Sequence, residues 1–192
     1  MKIGTKSVLF GYHCFAIHPW FVAWAWWQLY GFPWDPRLWV AFFTHDLGYI
    51  GKPNMDGPEG ESHPELGRKI MQRLFGQQWG DFTLLHSRFV ARSYGVPWSR
   101  LCIADKLATA LTPRWLFLFL ANASGEIHEY MCERPVGNSQ RVESTMFTRG
   151  LCEGLTPEKW HHNMTTFVLK WAWDNREVDP APDLRSLPPI TN

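Results

Sequence analysis

The chain has 192 residues, 45% of them hydrophobic and 19% charged, with a formal net charge of +1. That is enough for one domain with a sizeable core and too little for two, and the composition excludes a disordered polymer. A near-neutral total gives no reason to expect a nucleic-acid polymer or an anionic membrane as partner, while leaving room for a local basic cluster that meets a small phosphorylated ligand.

In chain order, the apolar stretch 8–17 is interrupted by Gly11 and His13 and lacks a small-residue cleavage site, so no secretory signal is expected. The widely spread Cys14, Cys102, Cys132 and Cys152 form no CxxC pair and read as buried or free thiols of a reducing cytoplasm. Pro19 suits the first turn of a helix that runs to about Tyr30 and stops at Gly31. Six of the 12 Trp crowd the segment 20–39. The apolar run 21–27 is far shorter than the roughly 20 residues of a bilayer span. A core helix packed on most sides is therefore expected, with an aromatic patch facing a partner or membrane as the alternative.

Asp35 before Pro36 caps a second helix, about 37–47, which places Leu38, Ala41, Phe42 and His45 on its core-facing side. Gly48, Gly51, Pro53, Gly57, Pro58 and Gly60 then make a loop over 48–61, long enough to suggest a functional segment. A third helix starts at Ser62 or His63, with Pro64 in its first turn and Leu66, Ile70, Met71 and Leu74 as its buried stripe. A fourth, about 81–94, carries His86 and stops at Gly95; a fifth, about 100–111, is capped by Ser99 and carries Asp105. Segments 113–122 and 157–174 read as two more apolar helices, while 136–145 is polar and loop-like. The predicted fold is all-α, a single-domain helical bundle over 1–178, followed by a proline-rich tail over 179–192 without regular structure.

His18, His45, Asp46, His63, His86 and Asp105 recur about once per helix and loop, so a bundle can aim them all at one centre. Imidazole with carboxylate suits Fe, Mn, Zn or Co, and the lack of thiolates argues against a structural zinc site. The order H…HD…H…H…D resembles the HD superfamily of metal-dependent phosphohydrolases and related oxygenases. Thr44-His45-Asp46-Leu47-Gly48 is similar to its dyad motif, His18-x-x-x-Val22-Ala23 to its first-histidine helix, and His63-Pro64-Glu65-Leu66-Gly67 to the HxxxG element of two-metal members. Ile103-Ala104-Asp105-Lys106-Leu107 resembles its closing aspartate helix. The resemblance covers about 12–112.

It implies a first metal on His18, His45, Asp46 and Asp105, with Asp46 bridging to a second on His63 and His86. Two such divalent transition metals, Fe, Mn or similar, would sit about 3.5–4 Å apart and generate hydroxide from a shared water near neutral pH. His13 is the rival first ligand; His18 is favoured because it heads the helix with Val-Ala following. His128, His161 and His162 fall outside the matched region and suit surface or supporting roles. Three residues after the dyad aspartate, where many two-metal members carry Lys and deoxynucleotide-hydrolysing members often carry Glu, this chain has Tyr49, either a hydroxyl donor to substrate or a packed aromatic. Candidate phosphate contacts are Lys52, Arg88, Arg92 and Lys106, with Lys52 and Lys106 the stronger pair.

The leading expectation is a cytoplasmic metal-dependent phosphohydrolase that acts on a nucleotide or similar small phosphorylated metabolite. A di-iron oxygenase of the same superfamily, acting on a phosphonate or polyol, is the alternative. A non-catalytic, metal-stabilised module with a Trp-rich partner face is a third.

Overall fold

The computed structural model describes residues 1–55, 57–131 and 155–177. The predicted loop over 136–145, the tail after 178, and Cys132 and Cys152 lie outside these residues. Among the described residues there are helices and no strand, so the fold is all-α as the periodicity predicts. The helices are α1 (Ile3–Phe10), α2 (His18–Tyr30), α3 (Pro36–Thr44), α4 (Pro64–Phe75), α5 (Gln77–Leu84) and α6 (Arg88–Ser93). They continue as α7 (Arg100–Leu111), α8 (Arg114–Ser124), α9 (Glu126–Met131) and α10 (Pro157–Asp174). Single 3₁₀ turns cover Leu47–Tyr49 and Gly60–Ser62.

Local chemistry explains most of the boundaries. Asp35 accepts the Arg37 N–H at the start of α3, with Pro36 in the first turn, where a missing N–H costs nothing. Pro19, Pro64 and Pro157 play the same part in α2, α4 and α10. The predicted fourth helix is in fact two. The chain leaves α5 after Leu84 and re-enters a helix at Arg88, where the Ser87 side chain accepts the Val90 N–H. His86 lies in the turn between them.

The largest core lies where α2 and α3 pack with α4, α5 and α7 through Val22, Trp26, Phe42, Met71, Leu101 and Ile103. Each such fully buried side chain contributes about 1.5–3 kcal/mol. A second core joins Tyr12 to α8, α9 and α10 through Phe117, Ile127, Trp160 and Met164. The stripe expected on α4 is narrower than predicted. Gly67 and Met71 are buried, whereas Leu66 and Leu74 are exposed, because α4 is covered on one side only. Helix α2 is likewise packed on one side. Val22, Ala25 and Trp26 face the core, while Trp20, Trp24 and Trp27 are exposed, so the expectation of burial on most sides is corrected. Among the described residues no helix is long and apolar enough to cross a membrane. Cys14 and Cys102 are buried free thiols.

Candidate metal centre

All six residues predicted as ligands converge, and all are buried. Most come from helix ends. His18 opens α2, His45 and Asp46 follow α3, His63 precedes α4, and His86 fills the turn after α5; Asp105 alone among the six projects from mid-helix, on α7. Gly48 brings two of these segments together. A Cβ there would overlap the His63 carbonyl, so only glycine lets the turn after the dyad lie against the start of α4.

Asp46 divides the centre. Its Oδ2 lies 3.0 Å from His45 Nε2 and 3.5 Å from His18 Nε2; its Oδ1 lies 3.5 Å from His86 Nε2 and 3.6 Å from His63 Nε2. Asp105 Oδ1 closes the first group, 3.1 Å from His18 Nε2 and 3.7 Å from His45 Nε2. The ligand atoms thus form two sets, His18, His45, Asp46 and Asp105, and Asp46, His63 and His86, with one carboxylate common to both.

Three of the rings are aimed by the backbone. Nδ1 of His45 donates to the Phe42 carbonyl at 2.9 Å, that of His63 to Gly60 at 2.8 Å, and that of His86 to Thr83 at 2.6 Å. A neutral imidazole has one N–H, so each of these rings turns a bare lone pair inward at Nε2. His63 and His86 Nε2 then face each other at 3.0 Å, lone pair against lone pair. His45 Nε2 and Asp46 Oδ2, both buried, make no hydrogen bond despite their closeness. Acceptors crowded together in a buried site are groups that a bound cation would satisfy. The donor set therefore fits one or two divalent transition ions.

The electrostatics agree. Burial alone would raise the Asp46 carboxyl, yet His45 and His13 beside it hold it well below the usual carboxylate range. Asp105 is likewise depressed against its burial by Lys106, then by His18 and His45. Burial and the neighbouring His86 push His63 well below the ordinary histidine value. Burial also lowers His18, despite Asp105. His45 goes the other way: Asp46 and Asp105 outweigh its burial and push it up to about 10.

The remaining predicted residues surround the centre at different distances. The Tyr49 ring stacks on His63, centroids 3.9 Å apart and 12° from parallel, as a packed aromatic that fixes that ligand. Lys106 Nζ donates to Asp105 Oδ2 at 3.1 Å, which leaves Oδ1 for the site. Lys52 Nζ donates to Ser62 Oγ at 2.6 Å and so ties the two ends of the long loop together. Arg88 lies over the rings of Trp98 and Trp171, 5.6 and 5.0 Å from their centroids, and Arg92 is exposed. His18 belongs to the first ligand set and His13 to neither, although the His13 ring lies 5.3 Å from that of His18. His161 is buried against Phe117, while His128 and His162 are exposed. A small cavity is lined by Val8, His13, Phe15, Phe43 and Leu47 together with His18, His45 and Asp46.

One functional candidate escaped the sequence reading. Glu126, on α9, bonds His13 Nδ1 at 2.9 Å. No local pattern links residues so far apart in the chain. No family model, curated protein or solved structure matches the chain.

Proposed function

We propose that the protein is a two-metal phosphohydrolase of the HD type, acting on a nucleotide or similar small phosphorylated metabolite. The observation that carries this reading is the division of Asp46. One buried carboxylate turns its two oxygens to two separate sets of ligands, as a bridge between two cations requires. Divalent ions bound there would supply Lewis acidity toward a phosphoryl oxygen and lower the pKa of a coordinated water.

The chain's own residues supply the geometry. The backbone carbonyls of Phe42, Gly60 and Thr83 hold three imidazoles in the tautomer that ligates. Lys106 neutralises and orients Asp105, and its half-exposed ammonium is available to the charge on a bound phosphoryl group. Lys52, at the neck of the loop that joins the dyad to His63, is the second cationic candidate. Tyr49 keeps the His63 ring from turning away and shields it from water.

The deciding experiment is elemental analysis of anaerobically purified protein, coupled to phosphate release from a panel of phosphorylated metabolites. Mn, Co or Ni with phosphate release supports the proposal. Iron with oxygen-dependent turnover would assign the oxygenase chemistry instead, and metal-free protein would refute both.

A further inference from the structure

Glu126 is fully buried, and its carboxylate is completely enclosed by donors. It accepts from the Tyr12 backbone N–H at 2.8 Å, the Ser124 hydroxyl at 2.6 Å, the Tyr130 hydroxyl at 2.7 Å and His13 Nδ1 at 2.9 Å. A buried ion costs several kcal/mol unless such partners replace its water. The backbone makes room for this one, because a Cβ on Gly11 would overlap Glu126 Oε1. Two of the four donor residues approach the metal centre: the Tyr12 ring packs on His18, and His13 alone of the four lines the cavity beside it.

The His13 ring lines the same small cavity as His18, His45 and Asp46, and its centroid lies 5.3 Å from those of both His18 and Tyr49. Its Nδ1 is engaged by Glu126 and lies 2.9 Å from Ser7 Oγ. Both hydrogen bonds of the ring among the described residues are made at Nδ1, which leaves Nε2, and His13 belongs to neither ligand set.

Resting on the phosphohydrolase reading, we propose that Glu126 is a positioning residue that holds His13 so that its Nε2 contacts the phosphoryl group of the substrate in the cavity. A carboxylate on one ring nitrogen fixes both tautomer and ring direction, and so aims the other. A phosphoryl group near neutrality offers both P–O⁻ and P–OH, so Nε2 finds a partner as donor or as acceptor. The assignment does not depend on the charge of the ring.

The test uses the full chain loaded with Zn(II) and inorganic phosphate as the probe, with affinity read by calorimetry and metal content by elemental analysis. His13→Ala should keep the metal content of the wild type and bind phosphate about tenfold or more weakly, the loss expected for one hydrogen bond to a charged group. Glu126→Gln should weaken phosphate binding less. It should also mix the His13 tautomers in long-range ¹H–¹⁵N spectra, a signature that a merely structural role would not produce. His13→Phe, which keeps the ring and removes its nitrogens, carries the same comparison if the alanine variant does not fold. Unchanged phosphate affinity at full metal content would overturn the proposal. Loss of metal from the His13 variants would overturn it too, by making His13 a support of the metal. The underlying reading fails separately: wild-type protein that takes up no metal, or metal but no phosphate, removes the phosphohydrolase assignment and this proposal with it.

Discussion

Replacing Asp46 by Asn tests the centre at its most sensitive point. The carboxylate serves His18 and His45 through Oδ2, at 3.5 and 3.0 Å, and His63 and His86 through Oδ1, at 3.6 and 3.5 Å. The amide keeps one oxygen, and its NH₂ cannot ligate a cation. With the oxygen toward His18 and His45, the second set falls to His63 and His86 alone. With the oxygen reversed, the first set loses a ligand and both lose the negative charge. A lost charged contact is worth about 3 kcal/mol, or roughly 150-fold in affinity. Metal content after dialysis should therefore fall from about two per chain to about one. The circular dichroism of the variant should stay helical, since no apolar core residue changes. In the metal-free variant His45 loses the group that most raises it, so its pKa should drop from about 10, read by NMR titration. An Asp46→Asn variant that kept two tightly held ions would refute the bridging role.

Other consequences are as direct. His63→Ala or His86→Ala should each leave a folded protein with about one metal and steeply reduced phosphate release; two metals retained in both variants would make these residues ordinary core histidines. Lys52→Ala should lower turnover at unchanged metal content, and unaltered kinetics would confine Lys52 to its contact with Ser62. Burial, with smaller contributions from Arg114 and His162, lowers His161 from 6.5 to about 4. The unfolded chain then binds the extra proton in that interval, so stability is lost as pH falls from 6.5 toward 4. The melting temperature of metal-free protein should drop across this window, and His161→Phe should flatten the drop; an unchanged slope would argue against it.

The six candidate ligands were legible because most of them stand beside a helix signal. Pro19 and Pro64 mark helix starts just after His18 and His63, and the spacing from Leu38 through Phe42 places His45 on the core side. The break at His86 was less visible. Neither Gly nor Pro occurs over 81–94, and Ser87, whose side chain caps α6, is an inconspicuous sign. The exposed half of α2 is hidden from the sequence for a related reason. A helix apolar all round has no periodicity to show which face is covered, and only the packing of α7 on one side decides it. Glu126 could not be found at all, since its meaning depends on His13, which the fold alone brings near.

The carbonyls that hold His45, His63 and His86 each lie three residues earlier in the ring's own turn. Orientation is thus written into short stretches of main chain, and the bundle needs only to dock three pre-aimed turns. Cation affinity becomes a gauge of how well those turns are formed. Fraying at the end of α3 or α5, or in the 3₁₀ turn before His63, would swing a ring out of line while every ligand residue remained in the sequence. The centre is therefore as vulnerable to a proline placed one turn away as to the loss of a histidine.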